Sequence, residues 1–205
     1  MGKTHLPQTL PHAPRARHRQ PIYGEVMMTL TYRTPSLSDA PRLAMFYRRN
    51  RDHMRTGSPR REESFYTATG QETAIRNAKA DQEASRGFLW LIEEDTRVLG
   101  LLNLNSVIYG AFRSASIAYT VDHQHTNQGI ATSAVHWAVD YAFTALGLHR
   151  LQGETLVSNH ASQAVLSKCG FTQYGVAPKY LYIDGSWQDH ALYQLINTAP
   201  DGTVI

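Results

Sequence analysis

Cysteine is almost missing from this chain: Cys169 is the only one among 205 residues. A single thiol excludes an internal disulfide and leaves no cysteine pair for a zinc or redox centre, so Cys169 reads as a core residue. Long apolar runs are missing too. No stretch of about 18 uncharged apolar residues occurs, and the N-terminus has no apolar segment of the secretory kind, which predicts no membrane insertion and a cytoplasmic location. None of the 10 histidines is four residues from another; His123 and His125 stand two apart and His149 and His160 lie in separate elements, so no metal is expected. No internal repeat interrupts the chain. With 42% hydrophobic residues, what remains supports one well-cored domain.

Net charge is also small, +3 at pH 7, although the pI is about 9.0. Residues 1–26 carry Lys3, Arg15, Arg17 and Arg19 against Glu25 alone, while the other 16 basic and 16 acidic residues cancel. The basicity therefore belongs to a Pro-, His- and Arg-bearing tail, "LPQTLPHAPRARHRQP", which cannot bury enough surface to order itself. The expected organisation is a disordered tail over 1–26 and a single domain over 27–199. Met27 and Met28 follow the tail, so a start-site extension and a working basic arm both stay open.

Along the domain, Leu30 and Tyr32 suggest a short strand, followed by a helix capped by Ser38 and running to about Asn50. "TGQETAIRNAKADQEAS" gives a second helix with few large apolar residues, hence a surface one. "GFLWLIEEDTRVLGLLNLNSV" makes two strands joined around Glu94, Asp95 and Thr96, and "RSASIAYTV" a third. Ala131, Ala134, Val135, Ala138, Val139, Ala142 and Phe143 then recur at helical steps, with Gly147 placed for a left-handed cap. "HRLQGETLVS" is another strand. "NHASQAVLSKCGF" makes a short helix expected to turn Ala161, Ala164, Val165 and Cys169 inward and to stop at Gly170. "KYLYIDGSWQDHALYQL" closes the chain as a hairpin about Asp184-Gly185. An antiparallel first half followed by strand-helix crossovers implies an α+β, three-layer α/β/α fold with a mixed, mostly antiparallel sheet.

One turn stands out. "HTNQGIATSAVHWAVDYAF" begins at His125 with a single glycine where the long helix starts. A helix N-terminus presents free N–H donors and about half a positive charge, and a residue without Cβ lets an anion approach them. Phosphate is the natural guest.

The order of elements, this turn and "SNHASQAVLSKCGF" together resemble the GNAT N-acetyltransferase superfamily over about residues 29–196. "YLYIDGSWQDHALY" and "NRDHMRTGSPRREES" are similar to its RimJ/RimL group of ribosomal-protein alanine N-acetyltransferases. The resemblance implies the GNAT acyl-CoA N-acyltransferase fold, acetyl-CoA as co-substrate, and direct attack of an amine on the thioester. It implies that Thr126, Asn127, Gln128, Gly129, Ile130 and Ala131 hold the coenzyme diphosphate. Thr126 stands where that pattern has Gln or Arg, leaving the side-chain contact to Gln124 or Gln128. It also implies that Asn159 and Ser162 lie beside the pantetheine and the leaving thiolate, with Ser162 supplying a proton or hydrogen bond. Lys168 belongs to the same cofactor-binding motif. A main-chain N–H among Tyr119, Thr120 and Val121 would hold the developing oxyanion. Asn159 is also an ordinary helix N-cap, and the two roles are compatible.

For the amine proton, Glu154 on the strand before Asn159 and Glu63 in the loop after the first helix are the candidates. An α-amine titrates near about 8 and lysine near about 10.4, so an N-terminus asks less of a base. The expected acceptor is a protein N-terminus, ribosomal in type. A small amine such as an antibiotic or metabolite, and a non-catalytic acyl-CoA-binding module, remain alternatives, as does a homodimer. Six arginines between Arg48 and Arg61 suit a solvated helix end paired with Asp52, Glu62 and Glu63, or contacts to RNA phosphates. Tyr180, Tyr182 and Trp187 either line the acceptor site or pack in their hairpin.

Overall fold

Phe88, Trp90 and Ile92 alternate with Leu89 and Leu91, so a strand here must be covered on both faces. The computed structural model describes residues 16–20, 28–55 and 57–198 and shows why. Eight strands form one sheet: β1 (Ala16–Gln20), β2 (Met28–Arg33), β3 (Phe88–Glu94), β4 (Arg97–Ile108), β5 (Ser114–Val121), β6 (Arg150–Leu156), β7 (Thr172–Ile183) and β8 (Ser186–Ile196). Their spatial order is β1-β2-β3-β4-β5-β6-β8-β7. Every neighbouring pair is antiparallel except β5 and β6, which are parallel.

Helices α1 (Ala40–Arg49), α2 (Arg51–Arg55) and α3 (Ala68–Glu83) come before β3; α4 (Ile130–Asp140) and α5 (His160–Lys168) flank β6 in sequence. One face of the sheet packs α1 and α3 through Leu43, Phe46 and Ile75 onto Leu91, Val98 and Leu101. The other face packs α4 and α5 onto Trp90, Ile92, Leu102 and Ile117. The three-layer α+β architecture is therefore the observed one.

Buried residues of α4 fall at Ile130, Ser133, Ala134, Val135, Trp137 and Ala138, a broad face rather than a narrow stripe. Trp137 stacks on Tyr32 at 4.8 Å and meets Trp90 edge-on at 5.0 Å, while the Tyr32 hydroxyl hydrogen-bonds Ser133 Oγ at 2.9 Å. Each such aromatic pair contributes about 0.5–1.5 kcal/mol beyond area burial. Together they pin α4, and the turn before it, to β2 and β3.

Three local expectations change. The first helix is opened by Ser36 rather than Ser38: the Asp39 carboxylate accepts both the Ser36 N–H at 2.8 Å and its hydroxyl at 2.9 Å, a closed capping arrangement. A 3-10 turn, Leu37–Asp39, then precedes α1, and α2 follows as a separate turn of helix. Ala161 and Ala164 of α5 are exposed, because Leu166 and Cys169 face the sheet instead. Leu166 lies over Gly153 of β6, where even a Cβ would come within 3.0 Å of it. Finally, Ala16–Gln20, inside the segment expected to be disordered, pairs with β2 as an antiparallel edge strand, from Ala16 opposite Tyr32 to Gln20 opposite Met28. Residues 1–15 and 21–26 of that segment lie outside the described residues.

Candidate active site

The parallel pairing of β5 with β6 covers only Ser114–Ser116 against Arg150–Gln152. Both strands continue, to Val121 and Leu156, but β6 thereafter pairs with β8 alone. The two strands part beyond Ser116 and Gln152, leaving a wedge in the middle of the sheet. Strand alternation identifies the donors that line it. Asp122 N–H bonds Leu99 O at 2.8 Å on the β4 side, and Arg113 O accepts from His149 and Arg150 N–H on the β6 side. Tyr119 and Val121, in step with Arg113, therefore turn their N–H groups into the wedge. Thr120 turns its main chain to β4, so its N–H does not enter the wedge; its carbonyl sits so close to Gly100 that a Cβ there would be 2.4 Å away.

Beyond Val121 the chain is locked by a buried carboxylate. Asp122 is fully buried and accepts from Arg49 Nε at 2.7 Å and from Gln124 N–H at 3.2 Å. Burial works to raise its pKa, but Arg49 and the Gln124 N–H outweigh it and hold the carboxyl below its usual value. Asn50, also buried, accepts the His123 N–H at 2.8 Å. These bonds tie the end of α1 to the turn that follows. There Asn127 and Gly129 take positive φ, 61° and 75°, and α4 begins. Among the described residues, no main-chain acceptor pairs with the N–H groups of Gln128 through Thr132. The Gly129 turn thus has free donors at the positive end of an eleven-residue helix.

Thr126 turns its hydroxyl back to the His123 carbonyl at 3.4 Å, and the Gln124 amide oxygen accepts from Arg97 at 3.2 Å. Gln128 is half-buried with no side-chain hydrogen bond among the described residues. Lys168 is exposed in the last turn of α5. It precedes Cys169, whose buried thiol donates to the Thr132 carbonyl at 3.6 Å, so that end of α5 meets the first turn of α4. Burial pushes the Cys169 thiol up to about 11 and keeps it protonated.

At the other end of α5, Asn159 caps the helix, its Oδ1 accepting the Ser162 N–H at 3.0 Å. Ser162 Oγ lies 2.9 Å from the Tyr119 hydroxyl, which also donates to the Ser162 carbonyl at 3.2 Å. Burial raises the Tyr119 phenol to about 12, against the lowering effect of Ser162. The sequence pointed to the Tyr119 main chain and missed this phenol. Its signal was a hydroxyl two residues after Ile117, on the face that α4 and α5 cover.

Ser116 and Glu154 occupy the opposite face. The Ser116 hydroxyl donates to Glu154 Oε1 at 3.1 Å. Burial raises the Glu154 carboxyl, with Ser116 and His190 pulling it back. Glu63, the other expected base, is placed differently: it forms an exposed ion pair with Arg51, and that hydrogen bond lowers its pKa. A fully solvated, stabilised carboxylate is a weaker base than a buried one. Around Glu154, Tyr174 OH reaches Gln152 at 3.5 Å, Arg150 lies over the Tyr174 ring, and Tyr180 leans on His190 at 5.3 Å. Tyr182 and Trp187 are exposed and pack edge-on against each other at the hairpin. Arg48 donates to the Tyr66 carbonyl, Arg49 to Asp122 and Arg51 to Glu63, and Arg61 lies over the Phe65 ring, so four of the six arginines have partners within the protein.

A sequence profile described as the acetyltransferase (GNAT) domain matches residues 29–172. The chain is 33% identical over 171 residues to the probable N-acetyltransferase YjcK of Bacillus subtilis strain 168, covering 82% of this chain and 94% of that protein. It is 29% identical over 167 residues to the ribosomal protein uS5-alanine N-acetyltransferase of Escherichia coli K12, covering 80% and 85%. Among solved structures, Mycobacterium smegmatis RimJ in complex with CoA-disulfide superimposes with a TM-score of 0.80 at 30% identity, covering 82% of each chain.

Proposed function

Since the chain belongs to the acetyltransferase (GNAT) family, we propose that it transfers the acetyl group of acetyl-CoA to the α-amine of a protein N-terminus, of the ribosomal-protein alanine type. The observation that carries this reading is the wedge between β5 and β6, with main-chain donors inside it, free helix N–H groups at one end and a half-buried carboxylate, Glu154, across from them.

The residues suit the coenzyme. The unpaired N–H groups about Gly129 match a diphosphate, and Gly129 presents no Cβ to it. Bound acetyl-CoA supplies an acetyl group activated as a thioester. The N–H groups of Tyr119 and Val121 receive its carbonyl oxygen as charge grows there; one such donor contributes about 3–4 kcal/mol of barrier lowering. Glu154, desolvated and therefore more basic, takes the proton of the attacking amine directly or through water. Ser162, backed by the Tyr119 phenol, donates a hydrogen bond to the departing sulfur from the other face. The C–N bond forms, the C–S bond breaks with its electron pair leaving on sulfur as the thiolate, and the amine proton rests on Glu154.

The two strands that frame the wedge, Ser114–Val121 and Arg150–Leu156, carry one carboxylate, Glu154, and one cation, Arg150. A polyamine would call for several carboxylates, whereas a single primary amine with a small neutral flank needs one. The relative named as a ribosomal protein uS5-alanine N-acetyltransferase fits this chemistry. Free-thiol release from acetyl-CoA tests it with an Ala-starting peptide, a lysine peptide blocked at its N-terminus, and a panel of small amines. Release with the Ala peptide alone is expected. Release only with the small amines would replace the acceptor, and tight binding without turnover would replace the enzyme by a sensor.

A further inference from the structure

His190 is 3% exposed, yet it is not part of an apolar cluster and has no ion pair among the described residues. Its Nδ1 lies 3.1 Å from the Gln188 carbonyl. A carbonyl only accepts, so Nδ1 must donate, and the neutral ring is left with its lone pair on Nε2. The sheet register directs that lone pair's surroundings. Glu154 pairs with Leu192 and Leu156 with His190, so Glu154 and His190 share one face as diagonal neighbours on adjacent strands. Side chains so related lie about 7–8 Å apart at their bases, within reach of each other directly or through one water.

Resting on the acetyl-transfer reading, we propose that His190 is the second station for the amine proton: Glu154 takes it from the attacking nitrogen, and His190 Nε2 takes it from Glu154. The step is one proton moving along two acceptors, leaving Glu154 ionised for the next cycle and an imidazolium that discharges to water. No other electron or group moves. The groups that face His190 are Glu154 from β6, Tyr180 from β7 with its ring at 5.3 Å, and Tyr174 further along β7, whereas Asp189, adjacent on its own strand, lies on the opposite face. Asp189 is already held by the Lys179 N–H at 2.8 Å. Glu154 is therefore the carboxylate left to exchange a proton with the ring.

Because His190 works through Glu154, it positions and unloads a proton and does not touch the acetyl group. A merely structural histidine would leave the pH profile unchanged. Steady-state rates of His190→Gln are expected to fall about tenfold or more at pH 7, with the KM for acetyl-CoA unchanged, and to recover in part on adding free imidazole. A pH profile and turnover superimposable on the unsubstituted enzyme would overturn the proposal. A second measurement needs no acceptor: the ring-nitrogen NMR signals of His190 in the resting protein at one pH. Glu154→Gln is expected to move the Nε2 signal, since the group within its reach has changed; an unmoved signal also overturns the proposal. Absence of turnover by the unsubstituted enzyme on every acceptor would count against the acetyl-transfer reading, and the NMR result would still decide for or against the coupling.

Discussion

Ser162 takes part in three hydrogen bonds at once: its N–H goes to Asn159, its carbonyl accepts from Tyr119, and its hydroxyl meets the same phenol. The side chain is thus preset toward the wedge, while the backbone bonds survive its loss. Ser162→Ala is expected to lower kcat by about tenfold or more with little change in the Kd of acetyl-CoA by calorimetry. Unchanged turnover would remove Ser162 from stabilising the leaving thiolate. At Gly129 the conformation itself is the constraint, since φ is 75°. Gly129→Ala strains this position by about 1–2 kcal/mol and places a methyl beside the free N–H groups, so the KM for acetyl-CoA should rise several-fold with a smaller effect on kcat. For Glu154 the sign follows from burial. Its raised pKa means the carboxyl becomes neutral at a higher pH than usual, so kcat/KM should fall as pH drops through that raised value. Glu154→Gln should abolish this acid limb.

Between elements, the Arg49–Asp122 pair joins α1 to the strand end that feeds the Gly129 turn. Arg49→Ala leaves a buried charge without its partner, which costs toward the lower end of about 3–5 kcal/mol because Arg49 itself keeps some water contact. The Asp122 pKa is depressed in the folded state, so its stabilising contribution is present above the unfolded value of about 3.9 and fades as pH falls through the folded one. Urea melts of the two proteins should therefore differ most near neutrality and converge in acid. Neither partner of this pair was legible in the sequence, since they lie 73 residues apart and six arginines crowd one segment. The periodic helix of α4 and the left-handed stops at Gly147, Gly170 and Asp184-Gly185 were legible, because each depends on a few adjacent residues. The meeting of Tyr119 with Ser162, 43 positions away, depends on how β5 and α5 pack, and no local pattern carries it.

Across the whole molecule, three strands separate β1 from β5, so β1 is remote from the wedge. Removing residues 1–26 should leave kcat/KM unchanged and lower Tm only slightly, by differential scanning calorimetry; a large loss of activity would give the basic segment a working role. The other half of the sheet, β6 to β8, is joined to the first through the three residue couples of β5 and β6. That short seam makes the molecule resemble a pair of tongs with main-chain N–H groups on one jaw and the Glu154 carboxylate on the other. The hinge is the shared core beneath, where Ile117 and Leu151 belong to one cluster, so a change in that core would alter the spacing between the jaws.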